Sequence, residues 1–293
     1  MVTFLTVRNN KTMSEKKLIK KCTEVLKENG LKEFLRRSIK YILWKSEFIY
    51  VWVRPYTPST GNIIYNSVSI GDKKIFDDFF PSFVDNPQYE DGIVSCHGRV
   101  TRSGDSIVIV GGGNGVTAVH AARITGNSGK VTIYEGGEES VQSIRSVLES
   151  ERVEDRCEVI HGVVGDSIDV YGGKTEKAES IPSTNLPNCD VLELDCEGGE
   201  VGILSNLDIS PRAIIVELHP WLYPESNEKP IEILENSGYE IQSIFGHDGI
   251  EITRIESQRL LKKSLHKDQG VRGELESGAK GPVVVAAVLN ESV

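Results

Sequence analysis

Two hydrophobic periods alternate along most of this chain. Short apolar runs of strand length are followed by segments in which apolar residues recur every three or four positions, as on one helix face. From residue 104 onward the alternation is regular. It predicts strands at Ser106–Val110, Lys130–Tyr134, Cys157–Val163, Asp190–Leu194, Ala213–Leu218, Tyr239–Phe245 and Val283–Leu289. It predicts helices at Val116–Ile124, Glu138–Glu149, Lys229–Asn236 and, shorter, near Glu200–Ser205.

Serial repetition of strand and helix predicts a parallel sheet with right-handed crossovers. We therefore expect an α/β fold, with a mostly parallel seven-stranded sheet and helices on both faces. The last two strands have no convincing helix between them. Residues 246–282 are accordingly predicted to be a long loop that joins antiparallel partners, and such an ending departs from a plain dinucleotide-binding fold.

The N-terminal segment has a different character. Apolar residues at helical spacing from Leu18 to Val53, interrupted at Asn29-Gly30, predict two basic amphipathic helices, and Met13 is an alternative start. Residues 1–60 carry 13 Lys and Arg against 5 Asp and Glu, a balance of +8, whereas the remainder has a balance of −18. We predict a helical segment over residues 1–60 and a main domain over residues 61–293.

Two roles are open for the basic segment. It can pack as a helical cap on the main domain, or residues 14–56 can contact an anionic membrane surface, with Lys and Arg at phosphates and Trp and Tyr at the interface. The acidic main domain argues against a nucleic-acid partner, because such binding depends on Lys and Arg. Oligomeric state is not indicated.

Location and metal content are constrained by what the sequence lacks. It has neither an apolar run long enough to cross a bilayer nor a secretory signal. Its five cysteines show no C-x-x-C pair, and its six histidines are scattered. We predict a cytoplasmic protein with reduced thiols.

A glycine-rich turn follows the first strand of the regular region. It is formed by Gly111, Gly112, Gly113, Asn114 and Gly115. Glycines here allow a tight reversal and a close approach of a cofactor to the backbone. The nicotinamide pattern G-x-G-x-x-G fails at Val116, but the looser G-x-G-x-x-A is met by Gly113, Gly115 and Ala118. The glycines alone do not decide between cofactors.

The neighbouring strand ends supply further candidates for cofactor binding. Glu135 ends the second strand of the region, and a carboxylate there can accept hydrogen bonds from both ribose hydroxyls of a nucleoside such as S-adenosylmethionine. Gly136 beside it permits close approach. Val163, at the end of the third strand, completes this set together with Asp195.

The strongest chemical signal is the segment Asp190 to Glu200, DVLELDCEGGE. Asp195 and Glu197 fall at the carboxyl end of a buried strand, where ionised groups are uncommon unless they are paired or functional. The next strand brings Glu217 and His219 to the neighbouring end. One of these four groups is expected to act as a base, with His219 preferred. Alternatively, the four hold a divalent ion such as Mg²⁺.

These residues resemble the FkbM family of methyltransferases. The family pattern of a strand, Asp, any residue, Glu-Gly-any-Glu and then Leu is matched from Leu194 to Leu204, and the resemblance covers roughly residues 88–245. It implies a class I methyltransferase fold, S-adenosylmethionine as cofactor, and O-methylation of sugars, glycans or other small-molecule hydroxyls. The chain departs from the pattern at Ile109, where many class I enzymes carry an acid, and at Glu193, where the family often has a basic residue.

Other functions are compatible with the glycine loop. An NAD(P)-dependent oxidoreductase shares the first half of the sheet but leaves the acidic signature unexplained. A non-catalytic nucleotide-binding module would not need polar groups at the strand ends. A carboxylate acceptor would need no base, and the basic N-terminal segment suggests a lipid-linked acceptor.

Overall fold

A computed structural model describes residues 46–47, 49–165, 178–219, 222–223, 228–263 and 274–290. The predicted helices before residue 46 lie outside this part, as do Met13 and Cys22. The chain divides into two compact units. The main unit contains residues 64–70 and the chain from residue 86 onward, and the smaller unit contains, among the described residues, the stretches up to Ile63 and from Gly71 to Asp85.

The helices and strands follow the predicted order closely. The strands are β1 (Ser59–Tyr65), β2 (Val68–Lys74), β3 (Ser106–Val110), β4 (Lys130–Glu135), β5 (Cys157–Val164), β6 (Glu179–Ile181), β7 (Val191–Leu194), β8 (Ala213–Leu218), β9 (Tyr239–Gly246) and β10 (Val283–Leu289). The helices are α1 (Asp91–Val100), α2 (Val116–Thr125), α3 (Glu138–Ser150), α4 (Glu200–Ser205), α5 (Lys229–Asn236) and α6 (Arg254–Lys263).

The main unit is built on one eight-stranded sheet with the order β6-β5-β4-β3-β7-β8-β10-β9, and β1 pairs with β2 separately. Neighbouring strands from β6 to β8 run parallel. Strand β10 is antiparallel to both β8 and β9. An antiparallel strand inserted between two parallel ones distinguishes this sheet from the all-parallel dinucleotide sheet. The predicted class I methyltransferase fold is therefore confirmed.

The central strands are buried on both faces, as parallel sheets covered by helices must be. Every residue of β7 and β8 is buried. Alternate residues of the sheet pack against apolar side chains of α4, α5 and α6. On the other face, α1 packs against β8, β9 and β10, and α2 packs between α1 and α3. Neither face of the central strands is left to solvent.

Three features of the main unit differ from the sequence expectation. The sheet has eight strands rather than seven, because β6 adds a short parallel edge strand. The region predicted as a loop between β9 and β10 contains α6, where Leu260 and Leu261 are buried under the sheet. Helix α1 was not predicted, since its few apolar residues lie in an otherwise polar stretch.

The smaller unit has an apolar stripe on its outer side. Residues 46–47 and 49–53 are helical, and a 3-10 turn continues to Tyr56. Tyr50 and Arg54 point inward and hydrogen-bond with the buried Asp77 at 2.9 and 2.7 Å. The outer stripe is formed by four exposed residues with helical spacing, Ile49, Trp52, Val53 and Tyr56.

Two further features concern the apolar length of the helices and the state of the cysteines. Among the described residues, no helix combines the length and the apolar character needed to cross a membrane. The four described cysteines are free, and burial raises the pKa of Cys157 to about 11 and of Cys189 to about 12. Thiols with such pKa values are poor nucleophiles at neutral pH.

Candidate active site

The glycine loop lies at the point where the strand order reverses. Helix connections run from β3 toward β4 on one side, while β7 flanks β3 on the other, and ligands of such sheets bind at the carboxyl ends there. Gly111, Gly113 and Gly115 all have positive φ, at 96°, 51° and 79°. A Cβ atom on Gly111 would overlap the carbonyl oxygen of Asp195. The loop therefore requires glycine both for its turn and for contact with β7.

Glu135 supports this loop from the end of β4. Its carboxylate accepts hydrogen bonds from the backbone N–H of Gly112 at 3.1 Å and of Gly137 at 2.8 Å. Burial raises the pKa of Glu135, and these backbone donors oppose that rise. The carbonyl of Gly136 lies 3.0 Å from Nε2 of His161. Glu135 thus orders the loop and retains oxygen lone pairs for a ligand.

Two further residues predicted to bind the cofactor, Asn114 and Val163, lie in different surroundings. Asn114 donates a hydrogen bond from Nδ2 to the Tyr89 hydroxyl at 2.8 Å. Val163 lies near the end of β5, where it pairs with Ser180 of β6, two strands away from the glycine loop.

Three of the four predicted reactive groups converge at the ends of β7 and β8. Nε2 of His219 lies 3.6 Å from Asp195 Oδ1 and 3.6 Å from Glu217 Oε2. Glu217 and His219 are two residues apart in an extended segment, so their side chains point to the same side. The structure does not bring Glu197 into this group: it lies in the turn after β7 with a positive φ of 53° and is partly exposed.

Glu200 takes a place that the sequence did not assign to it. Its fully buried carboxylate lies 2.8 Å from Nδ1 of His219 and accepts hydrogen bonds from the backbone N–H of Gly198 and from the Tyr223 hydroxyl. The Tyr223 hydroxyl in turn accepts from the backbone N–H of His219 at 2.8 Å. These contacts fix the imidazole ring, so that Nε2 faces the acidic side chains.

Mutual interactions perturb the protonation of this cluster. Burial disfavours the charged form of His219, but Glu200 and Glu217 outweigh it and raise the pKa of the ring well above its usual value. Burial by itself would raise the pKa of Glu217. Interactions with His219 and His247 outweigh burial and hold this pKa far below the usual range. Burial and the neighbouring Glu217 charge raise the pKa of Asp195 well above normal. Such opposed shifts are typical of acid–base sites.

Asp195, Glu217 and His219 also have the geometry of a metal-binding group. One potential ligand atom from each lies within 4.8 Å of the others. The contact of Nδ1 with Glu200 matches the way in which a carboxylate orients a metal-bound imidazole. One nitrogen and two carboxylates suit Mn²⁺ or Zn²⁺ better than Mg²⁺, which prefers oxygen ligands.

Several residues of the site were not predicted from the sequence, because helix α1 was not predicted. Tyr89 and Glu90, which precede α1, lie beside the glycine loop: the Cβ position of Gly113 is 3.2 Å from Glu90 Oε1. His97 of α1 pairs with Glu193 at 2.6 Å, and Thr117 donates to the same carboxylate. The buried Glu193 carboxylate is therefore compensated by side chains of two helices, α1 and α2.

No family model matches the chain, and no curated protein matches it, so the resemblance to the FkbM family stays a prediction. Solved structures similar to the chain include Aeropyrum pernix fibrillarin in complex with S-adenosyl-L-methionine, with 15% identity over 64% of this chain and 68% of that chain and a TM-score of 0.40.

Two further solved structures are named as O-methyltransferases. The S-adenosylmethionine-dependent enzyme from Thermotoga maritima is 16% identical over 72% of this chain and 65% of that chain, with a TM-score of 0.42. The enzyme from Bacillus cereus, in complex with S-adenosylhomocysteine, is 13% identical over 68% and 80%, with a TM-score of 0.37. At these values the likenesses carry no argument about activity, and the fold assignment rests on the strand order.

Replacement of Glu200 by Gln tests the role of its charge. Because the carboxylate stabilises the imidazolium form, Glu200→Gln is expected to lower the pKa of His219 from its raised value toward ~6.5. The measurement is a histidine ¹³C NMR titration in the presence of EDTA, with His219→Asn to assign the resonance. Glu251→Gln, at an exposed ion pair with Arg99, is the control and should leave the titration unchanged. Identical His219 titrations in wild type and Glu200→Gln would contradict this assignment.

Proposed function

We propose that this protein is an S-adenosylmethionine-dependent methyltransferase. The observation that carries the proposal is the acidic lining of the crevice at the glycine loop. The carboxylate of Glu90 lies beside Gly113, and that of Glu135 supports the loop from the end of β4. Asp195, whose backbone carbonyl contacts Gly111, places its carboxylate 3.6 Å from Nε2 of His219. S-adenosylmethionine presents a sulfonium cation and an ammonium group, so carboxylates in a poorly solvated crevice complement its charge.

The same lining argues against the nicotinamide cofactor. In dinucleotide-binding folds a glycine loop of this kind receives the pyrophosphate, which carries two negative charges. Here the buried Glu90 side chain occupies the approach to Gly113, and it offers the pyrophosphate no positive charge. A non-catalytic nucleotide-binding module is disfavoured as well, because it has no use for the buried cluster around His219.

The chemistry that best fits the cluster is O-methylation. The acceptor oxygen forms a bond to the methyl carbon as the carbon–sulfur bond breaks, and sulfur keeps the electron pair to yield S-adenosylhomocysteine. Neutral His219 takes the acceptor proton on Nε2, and Glu200 stabilises the resulting imidazolium. The raised pKa makes His219 a stronger base and moves its working range to more alkaline pH.

For the acceptor we propose a hydroxyl of a sugar, a glycan or a related small molecule. This choice follows the resemblance of residues 194–204 to the FkbM pattern. The balance of −18 after residue 60 supports a small-molecule acceptor over a nucleic acid, whose phosphates the main domain would repel. The absence of a nucleic-acid partner and the cytoplasmic location both stay predictions.

A divalent ion is the second candidate for activation of the acceptor. Asp195, Glu217 and His219 would hold it, and the ion would lower the pKa of a bound hydroxyl. In that case His219 acts as a ligand rather than as a base.

Isothermal titration calorimetry tests the cofactor. The wild-type protein should bind S-adenosylmethionine and S-adenosylhomocysteine, whereas NAD should give no binding heat. Glu135→Ala removes an acceptor for ribose hydroxyls and a support of the loop, so we expect affinity to fall ~10- to 100-fold. Glu158→Ala, at an exposed ion pair with Lys130, should bind as the wild type does. Binding of NAD alone would overturn the proposal.

Transfer of a tritiated methyl group to glycan acceptors tests the base. His219→Asn is expected to lower kcat by roughly 10²- to 10⁴-fold while cofactor affinity is retained. Wild-type kcat should rise with pH through a midpoint above ~6.5, because only the neutral ring accepts a proton. Activity that survives EDTA supports His219 as the base, and activity lost to EDTA and restored by Mn²⁺ supports the metal.

We further propose that the smaller unit contacts an anionic membrane surface, where a lipid-linked acceptor would be found. The outer stripe supports this, since Trp52 and Tyr56 are 73% and 89% exposed and both residue types favour the bilayer interface. The excess of Lys and Arg among residues 1–60 provides the charge complement for anionic lipid.

Vesicle co-sedimentation tests the membrane contact. The full-length protein should sediment with phosphatidylserine-containing vesicles and much less with pure phosphatidylcholine. The Trp52→Ser, Tyr56→Ser double variant should lose several-fold in bound fraction, because both apolar anchors are removed. Ile255→Ser, which removes a 64% exposed apolar residue of α6, serves as the matched control. Equal sedimentation of wild type and double variant would contradict the proposed membrane contact.

A further inference from the structure

Glu90 occupies an unusual position next to the glycine loop. It directly precedes α1 and adopts a left-handed backbone conformation, with φ of 52° and ψ of 28°. The residue is only 7% exposed. Its Oε1 lies 3.2 Å from the position that a Cβ atom on Gly113 would take. The carboxylate is thus directed at the part of the loop that a cofactor approaches.

The Glu90 carboxylate makes few stabilising interactions with the described part of the protein. It makes no side-chain hydrogen bond that caps α1, although it stands at the N-cap position. Among the described residues, none with a positive charge pairs with it, and its acidic neighbours are Glu193, Glu217 and Asp195. Of the side chains that the structure describes, the Tyr89 hydroxyl is its hydrogen-bonding partner. A buried carboxylate in such company is costly unless a cation completes the site.

The electrostatics agree with a binding site for a cationic ligand. Burial raises the pKa of Glu90 to about 8, the Tyr89 contact opposes the rise, and Glu193 and Glu217 add to it. A cationic ligand would favour the ionised form and reverse this shift.

We infer that Glu90 binds the α-ammonium group in the methionine part of S-adenosylmethionine. This inference rests on the proposed function. Glu135 would hold the ribose at the β4 side of the loop, and the amino-acid end would then extend past Gly113 to Glu90. The assignment also supplies the acid that is missing from β3, where Ile109 stands in place of the usual carboxylate.

The ammonium group suits Glu90 better than the sulfonium does. An ammonium presents N–H donors and forms charge-assisted hydrogen bonds with a carboxylate, whereas a sulfonium has no donor. Asp195 lies at the end of β7 beside His219, where the methyl group must meet the acceptor. Asp195 is therefore the nearer charge for the sulfonium, and Glu90 is left for the amino-acid end.

Calorimetric titration of two ligands into two proteins tests this subsite. S-adenosylhomocysteine and 5′-methylthioadenosine share the nucleoside and a neutral thioether, but only the first carries the amino acid. Wild-type protein should prefer S-adenosylhomocysteine, and Glu90→Gln should reduce that preference by about tenfold or more without changing affinity for 5′-methylthioadenosine. The control Glu135→Gln should weaken both ligands alike, because both contain the ribose.

The outcomes separate this inference from the proposed function. If wild-type protein binds neither ligand, the methyltransferase proposal fails. If it binds both and Glu90→Gln keeps the wild-type preference, only the ammonium subsite fails. Retained binding of 5′-methylthioadenosine shows that the variant is folded.

A test without any variant covers the case in which Glu90→Gln does not fold. Wild-type protein is titrated with S-adenosylhomocysteine and with its deaminated analogue, which keeps the carboxylate. A loss of about tenfold or more with the analogue supports the subsite, and equal affinities overturn it.

Discussion

The close contact between the glycine loop and the end of β7 organises the whole site. Gly111 has no side chain, and the carbonyl of Asp195 fills the space that a Cβ atom would need. The backbone N–H of Asp195 also donates to the carbonyl of Val110, so the two strand ends are tied together. Because of this contact, the glycine loop proposed to bind the cofactor and the side chains proposed to react share one crevice.

Near that crevice the protein buries several carboxylates, and their hydrogen-bond partners differ. Glu193 is compensated by His97 and Thr117, and Glu200 by His219, Tyr223 and a backbone donor. Glu135 accepts from the backbone N–H of Gly112 in the glycine loop and of Gly137 after β4. Glu90 has no such compensation from a positive charge among the described residues. Burial of a carboxylate is tolerated where partners are present, so the uncompensated one points to a ligand.

The imidazole of His219 links the two functions proposed for the cluster. Its Nδ1 is hydrogen-bonded with Glu200, so a substrate or an ion would contact the ring through Nε2. Either role needs the same fixed ring, since a base and a metal ligand both require a defined tautomer. The fixed orientation of His219 is therefore common to both mechanisms. Removal of divalent ions by EDTA distinguishes between them.

Periodicity was sufficient to predict most of the sheet, because buried strands must be continuously apolar and helices that cover them must be amphipathic. Strand β8 and helix α5 were predicted with the residues observed, and the glycine loop and the ends of β7 and β8 were located from local sequence. Helix α1, the edge strand β6 and helix α6 were not, since each owes its stability to packing against the sheet rather than to a local pattern.

What the sequence alone determined is the chemistry available at each strand end; what only the tertiary structure decided is which of these groups meet. Glu197 and Glu200 belong to one acidic signature, yet the turn after β7 directs Glu200 to His219 and leaves Glu197 partly exposed. Glu90 is 105 residues before Asp195 in the chain, and only the packing of α1 beside β8 and β10 places it over the loop. Contacts of this kind depend on the direction in which helices pack, which a one-dimensional pattern of apolar residues does not encode.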